Sequence, residues 1–370
     1  MSGTAFPWDK NKRRGSSSTL WDVVRTLVAA MMVLMVVRWW CFGAVLPFSF
    51  HSGLPSPKRL LWSQQTLAPV STKAFGMAER NPRVLMISAS QAFCGTSLGD
   101  NNIMKSLKNK ADYARRHGMD TWFSLELLVD PAYHRLRNKI LLIRHVLRTQ
   151  RNYDWYIWID SDAMITDMNF RIPWEQYRGY SLVMWGDGPS LDTEPHFTRS
   201  LNTGVVFYRN DYYSRNFLDE MVKLWDSNPN QTELHSKVTG YIKGMTSFLC
   251  DQATVLYLLV TQKEQWINRV YLEERFHINR YWKPSAFELD SFMEPDAWKG
   301  DGNSPPFVVH FCGCSLCFKK FTDDFEECQR QHERAFNFAN NQIIREFGFM
   351  HRNLSSSEVV PIHSAQTAQG

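Results

Sequence analysis

Trp155-Tyr156-Ile157-Trp158-Ile159-Asp160-Ser161-Asp162 is the stretch on which the fold turns. Five aromatic and β-branched residues follow one another with no polar alternation, the pattern of a strand covered on both faces. The run ends at two carboxylates one residue apart. Upstream, Val84-Leu85-Met86-Ile87 reads as another buried strand that enters a loop from Ser88 to Asp100. Ile103, Leu107, Ala111 and Ala114 recur at helical spacing and predict a helix over 103–117, with Gly118 as its stop. Thr121–Leu128 reads as a strand and Asn138–Gln150 as a second helix. Strand, helix, strand, helix, strand predicts an α/β domain built on a parallel sheet with crossover helices.

Composition narrows the classes. The chain has 370 residues, 44% of them apolar and 21% charged, which excludes disorder for the chain as a whole. Lys and Arg number 42 against 37 Asp and Glu, and a net charge of +5 gives no dense basic face for nucleic acid. No period of solenoid or propeller length recurs. No glycine-rich dinucleotide fingerprint follows any strand, and no P-loop motif is present.

The N-terminus predicts a membrane anchor. Lys10, Lys12, Arg13 and Arg14 precede a segment, residues 26–48, that is apolar except for Arg38 and Pro47. That is long enough to span a bilayer as a helix. Arg38 can snorkel to an interface beside Trp39 and Trp40. A cleaved signal would need a small-residue exit site, and Phe42-Gly43-Ala44 is a weak one. The expected organisation is a cytosolic tail (1–25), a transmembrane signal-anchor (26–48), a Ser/Pro/Gln-rich stem (49–80), a luminal catalytic domain (81–353) and a disordered tail (354–370). Basic residues on the cytosolic side make this a single-pass type II protein. Two sequons, at Asn230 and Asn353, agree with a luminal domain.

In such sheets, ligands bind beyond the carboxyl ends of the strands. Ser88, Ser90 and Asp100 after the first strand, and Asp160 and Ser161 after the third, are therefore candidates for holding a nucleotide-linked ligand. Asp160 and Asp162 can converge on one hard divalent cation that keeps positions open for phosphate oxygens. This chemistry suits sugar transfer from a nucleotide diphosphate, where the leaving group gathers negative charge. Lys139, on the helix before the metal strand, would add positive charge. His310 ends the apolar run Phe307-Val308-Val309 and is the candidate third ligand.

With these residues assembled, the chain resembles glycosyltransferase family 34, the xyloglucan α-1,6-xylosyltransferases and their galactosyltransferase relatives. The matching stretches are Met104–Tyr113, Trp158-Ile159-Asp160-Ser161-Asp162-Ala163, Leu201-Asn202-Thr203-Gly204, Phe311-Cys312-Gly313-Cys314, Arg334–Phe338 and Asn341-Gln342-Ile343. They run collinearly over about Arg83–Asn353. The resemblance implies a GT-A-type, Rossmann-like nucleotide-sugar-binding fold, Mn²⁺, retention of anomeric configuration and a Golgi membrane location. It implies metal ligation by Asp160, Asp162 and His310, and a place beside the donor diphosphate for Lys139. It puts Asp251 and Gln252 at the reacting carbon, and Asn202, Thr203 and Gly204 in a substrate-lining loop. The expected partners are a UDP-sugar donor, a β-glucan acceptor and other Golgi glycosyltransferases in a homo- or hetero-oligomer.

Two departures from the family pattern bear on specificity. Cys250 replaces the first Asp of the Asp-Asp-Gln-Ser motif and Ala253 its Ser, while Ser315 replaces a Lys. Donor and acceptor therefore stay open between xylose on a β-1,4-glucan and galactose on a galactomannan-type chain. A weakly active or non-catalytic subunit of a polysaccharide-synthesising complex is the further alternative. Cys314, Cys317 and Cys328 fit either disulfides or a zinc site, disulfides being favoured by an oxidising lumen. Trp185, Tyr208, Tyr281 and Trp282 are candidates for stacking on sugar rings or for the core.

Overall fold

In the computed structural model the run Trp155–Ile159 is the third strand of a six-stranded sheet, buried along its whole length. The structure describes residues 61–62, 81–125, 135–227, 230–245, 249–294, 304–314, 316–317 and 324–362. The first half of the domain holds β1 (Val84–Ala89), α1 (Ser97–Arg116), β2 (Asp120–Ser124), α2 (Arg135–Thr149), β3 (Trp155–Ile159), β4 (Ala163–Ile165) and β5 (Leu182–Gly186). The second half begins with β6 (His196–Phe197), β7 (Leu201–Arg209), α3 (Tyr212–Asp226), β8 (Ile242–Lys243), α4 (Asp251–Thr261) and β9 (Val270–Leu272). It ends with β10 (Arg280–Tyr281), β11 (Val308–His310), α5 (Phe325–Ile344), β12 (Phe349–Met350) and β13 (Val360–Pro361).

The main sheet runs β2-β1-β3-β7-β5-β9. The α/β expectation holds, with one correction: the sheet is mixed. β2, β1 and β3 are parallel, but β7 lies antiparallel between β3 and β5. The strand-helix-strand pattern of residues 84–159 could not reveal this, because β7 joins from a later, longer connection. The reversal matters for the site. It sets the start of β7 beside the carboxyl end of β3, pairing Val205 with Ile159. A second sheet, β10-β11-β4, crosses there and pairs His310 with Ala163.

Apolar clusters cover both sheet faces. α2, α3 and α4 pack on one side with Ile143, Phe217 and Leu256, and α1 on the other with Tyr113. α1 starts earlier than its apolar spacing predicts. The Thr96 hydroxyl caps it by accepting from Gly99 N, so the polar first turn through Asn102 is already helical. Gly118, at φ +65°, follows its end as expected.

Three expectations concern the ends of the chain. The predicted tail and anchor (1–48) lie outside the described residues. Among the described residues no helix is long and apolar enough to cross a membrane. Within the predicted stem, Trp62 is only 2% exposed and its ring packs into the domain core, while its backbone N–H donates to Asp192 Oδ1 at 2.9 Å. The tail expected from residue 354 is ordered as far as 362. Leu354 is buried, and β13 pairs with β12. The zinc reading of the cysteines is also corrected: Cys94 bonds Cys317 and Cys314 bonds Cys328, leaving Cys250 and Cys312 as the free thiols among the described residues.

Candidate active site at the carboxyl end of β3

Asp160 and Asp162 leave β3 in a tight turn, and Ala163 N donates back to Asp160 O at 3.1 Å. Because β11 pairs with β4, His310 comes down on this turn. Its Nε2 lies 3.2 Å from Asp162 Oδ1 and 3.8 Å from Asp160 Oδ2. One ligand atom from each of Asp160, Asp162 and His310 lies within 4.8 Å of the other two. Two carboxylate oxygens and an imidazole nitrogen form a donor set that suits a divalent cation. The three residues therefore fit the metal role.

Gly204 allows the approach of His310. A Cβ built there would overlap the His310 ring. The imidazole is only 4% exposed and is held from behind by Asn279, whose amide lies 2.9 Å from Nδ1. That amide can present either oxygen or nitrogen to the ring, so it accommodates either tautomer. Asn279 also reaches Asn202 Oδ1 at 2.6 Å, which in turn accepts from Gly204 N at 2.8 Å.

On the other side of Asp160 stands Lys139. Its Nζ lies 3.0 Å from Asp160 Oδ1, 2.9 Å from Asp251 Oδ2 and 2.8 Å from the Thr203 carbonyl. All three ammonium protons thus have an acceptor. Asp251 Oδ2 also accepts from Thr203 Oγ1 at 2.8 Å, and Asp160 Oδ1 from the Trp158 indole at 2.5 Å. Burial disfavours the Lys139 ammonium, but Asp160 and Asp251 outweigh it and hold its pKa above the usual lysine value. Burial alone would raise the Asp251 carboxyl, yet Lys139 and Thr203 hold it low. Asp160 is pushed up by burial and by Asp162, against the pull of Lys139. His310 resists its burial through Asp162, so its pKa is raised and that of Asp162 lowered.

The structure thus brings together Asp160, Asp162, His310, Lys139, Asp251, Asn202, Thr203 and Gly204. Gln252 lies next to Asp251, with its Nε2 donating to the Thr198 carbonyl at 2.8 Å. Ser161 contributes its carbonyl to Ser106 Oγ at 2.6 Å. The candidates on the first loop have other surroundings. Ser88 is fully buried with an unpartnered hydroxyl, Ser90 N donates to the Ser124 carbonyl, and Asp100 Oδ1 accepts from Cys94 N. Among the aromatics, Tyr208 and Trp282 are core, each 3% exposed, and Trp185 is partly buried against the core. Tyr281 is 47% exposed and pairs with His310, so the two side chains share a face of the second sheet.

Sequence reasoning missed Asn279, Ser106 and Lys110, since polar residues inside a strand-loop or a helix give no periodic signal. The departure at 250, read from the sequence as bearing on specificity, takes a definite structural role. Cys250 is the N-cap of α4, its Sγ accepting weakly from Ala253 N. The change from the family's Asp therefore falls on a helix cap beside the site.

A model of the galactosyl transferase GMA12/MNN10 family matches residues 80–320. The chain is 35% identical over 287 residues to xyloglucan 6-xylosyltransferase 1 of Arabidopsis thaliana, covering 77% of this chain and 62% of that protein. It is 34% identical over 313 residues to a probable glycosyltransferase 2 of Oryza sativa subsp. japonica, covering 84% of this chain and 64% of that one. A solved glycosyltransferase involved in glycosylating the major capsid of PBCV-1 superposes with a TM-score of 0.43 at 13% identity, covering 68% of this chain and 99% of that one. The chain spans 62% of the length of the Arabidopsis relative. With its metal-type cluster, its mixed sheet and a family match over more than half its length, the chain belongs to glycosyltransferase family 34, the galactosyl transferase GMA12/MNN10 family.

Proposed function

We propose that the chain is a retaining, Mn²⁺-dependent transferase that moves xylose from UDP-xylose in α-1,6 linkage onto a β-1,4-glucan. The observation that carries this reading is the convergence of Asp160, Asp162 and His310 on one point, with Lys139 bridging Asp160 to Asp251. Family membership and the named Arabidopsis relative support the substrate class. When bound to these ligands, the divalent cation neutralises charge on the diphosphate of the donor.

The remaining chemistry belongs to the chain's own side chains. Lys139 sets a fixed positive charge between the cation ligands and the sugar side of the pocket. Asp251 is 6% exposed, and its Oδ2 is engaged by both Lys139 and Thr203. With that oxygen held by two donors, Asp251 is fixed in place, where it orients the sugar and stabilises positive charge at its anomeric carbon. Transfer then occurs on the front face. The acceptor hydroxyl oxygen bonds to the anomeric carbon as the bond to the β-phosphate oxygen breaks, and the hydroxyl proton passes to that departing oxygen. Asn202 and Gly204 line the approach, and the open ring of Tyr281 offers the acceptor a stacking face. The two disulfides fit an oxidising lumen, in line with a type II Golgi anchor and with exposed sequon asparagines at 230 and 353.

Assays of the purified chain with UDP-xylose and UDP-galactose, on cello- and manno-oligosaccharides, test the proposal. Transfer of xylose to cello-oligosaccharide, abolished by EDTA and lowered at least ~10²-fold in Asp160→Ala, is the expected result. Galactose transfer to the mannan acceptor would replace the xylose reading. No turnover with either donor, or full activity in Asp160→Ala, would overturn it.

A further inference from the structure

Lys110 is 0% exposed. A lysine this deep is almost always paired with a carboxylate. Its Nζ instead donates to the Ser106 hydroxyl at 2.6 Å and to the Ala163 carbonyl at 2.8 Å. Ser106 Oγ, one helical turn earlier on α1, hands on its own proton to the Ser161 carbonyl at 2.6 Å. Between those two carbonyls, that of Asp162 accepts from Phe311 N at 2.8 Å. Every peptide carbonyl from Asp160 to Ala163 is thereby held, two of the four by this one turn of helix. Burial pulls the Lys110 ammonium down to about 7, while the charges of Asp162 and Asp160 act to keep it protonated.

We propose that Lys110, acting through Ser106, is a positioning residue that fixes the Asp160-Ser161-Asp162 turn in the shape that receives a divalent cation. The inference rests on the reading of Asp160, Asp162 and His310 as metal ligands. Its physical basis is that the turn's two carboxylates converge only while its peptide planes stay put. Rotating the plane after Ser161 would leave the buried Ser106 hydroxyl without its acceptor, and rotating the plane after Ala163 would take one of two acceptors from the buried Lys110 ammonium; either is costly. Partners one shell beyond the ligands typically control metal affinity in this way. Asn109 provides an internal contrast. It neighbours Lys110 on α1 and holds the backbone of Ile165 from both sides, Nδ2 to Ile165 O at 2.8 Å and Ile165 N to Oδ1 at 2.9 Å. It grips β4 beyond the turn, so it supports the fold and not the ligand geometry.

Mn²⁺ binding to the whole 370-residue chain, followed by electron paramagnetic resonance of the free ion, separates these roles from overall stability measured by thermal unfolding. Lys110→Met is expected to weaken Mn²⁺ binding roughly 10–100-fold, and Ser106→Ala by a factor within that range. The double variant should be no weaker than Lys110→Met alone, because both act through one network. Asn109→Ala should lower the unfolding temperature and keep wild-type Mn²⁺ affinity. If Lys110→Met does not fold, Ser106→Ala decides. A folded Ser106→Ala or Lys110→Met with wild-type Mn²⁺ affinity, whatever its unfolding temperature, overturns the inference. Failure of the wild-type chain to bind Mn²⁺ at all would instead overturn the metal reading beneath it.

Discussion

Helix α2 carries two clusters of opposite charge, one near each end, and only one of them belongs to the site. Near its start, Lys139 is 10% exposed and serves Asp160, Asp251 and the Thr203 carbonyl at once. Further along, Arg144 and Arg148 hold Asp219 of α3 at 2.6 and 2.5 Å, with the Asp219 side chain 37% exposed. The exposed contacts are the shorter ones, 2.5–2.6 Å against 2.8–3.0 Å, so distance does not single out the site. The difference is water. Around Asp219, solvent screens each charge and would take over if a partner left. Around Lys139, Asp251, with its side chain 9% exposed, has no such substitute, so removing the ammonium leaves its negative charge inside the protein. Short ion pairs do not mark a function; a pair that must exist in spite of burial does.

Lys139→Met applies the largest stress to this contrast. Removing one partner of a buried ion cluster costs about 3–5 kcal/mol, to be read from urea unfolding at pH 7. The sign of Asp251's contribution to the pH dependence should invert as well. In the wild type, Lys139 and Thr203 hold the Asp251 carboxyl below its unfolded value, so its contribution to stability is present above pH ~4 and is lost as pH falls further. Without Lys139, burial drives the same carboxyl above its unfolded value. The folded form then binds more protons than the unfolded one, and the variant should gain stability as pH drops from 7 towards 5. A variant as stable as the wild type at pH 7, with no such gain, would mean that the two ends of α2 do not differ in the way their burial implies.

Gly204→Ala probes the metal-type side of the same site with a smaller perturbation. The added methyl would meet the His310 ring, itself backed by Asn279. Overpacking of this kind costs about 1–3 kcal/mol. The ring must swing away from Asp160 and Asp162, so Mn²⁺ affinity should fall at least ~10-fold, by the same measurement used for Lys110. Wild-type Mn²⁺ affinity in this variant would show that His310 is not held against the carboxylates by the close approach of β7.

The contrast also explains what could be read in advance. Trp155–Ile159 declared a buried strand because β-strand cores are written in consecutive apolar residues, and Asp160 and Asp162 stood out as charges at its exit. His310 was found for the same reason, at the end of Phe307-Val308-Val309. The antiparallel entry of β7 was not legible, since Leu201–Arg209 has the same apolar character in either direction. Its orientation is set by pairing with β3 and β5. Family motifs proved uneven guides. Asn337, Asn341 and Gln342 lie in matching stretches, yet they hold backbone: Leu354 O at 2.8 Å, His351 O at 2.9 Å and Thr166 O at 2.7 Å. Lys110 sits in the first motif and says nothing by spacing, because a buried lysine and a solvated one look alike until the fold surrounds them.

Asp219→Asn is the smallest test and the one that keeps the comparison honest. Partial burial pushes the Asp219 carboxyl up, but Arg144 and Arg148 together outweigh this and hold its pKa low. Its stabilising effect is therefore present at neutral pH and disappears as pH falls through its folded value. With more than a third of the side chain open to solvent, screening limits the effect to under about 1 kcal/mol. A loss of that size at pH 7 in low salt, shrinking in 1 M NaCl and shrinking again as pH falls below about 4, is what urea unfolding should show. Donor turnover should be unchanged, since Asp219 touches none of the residues that surround Lys139. A loss matching that of Lys139→Met would mean that exposure does not separate the two clusters, and the argument from burial to function would fail at both ends of the helix.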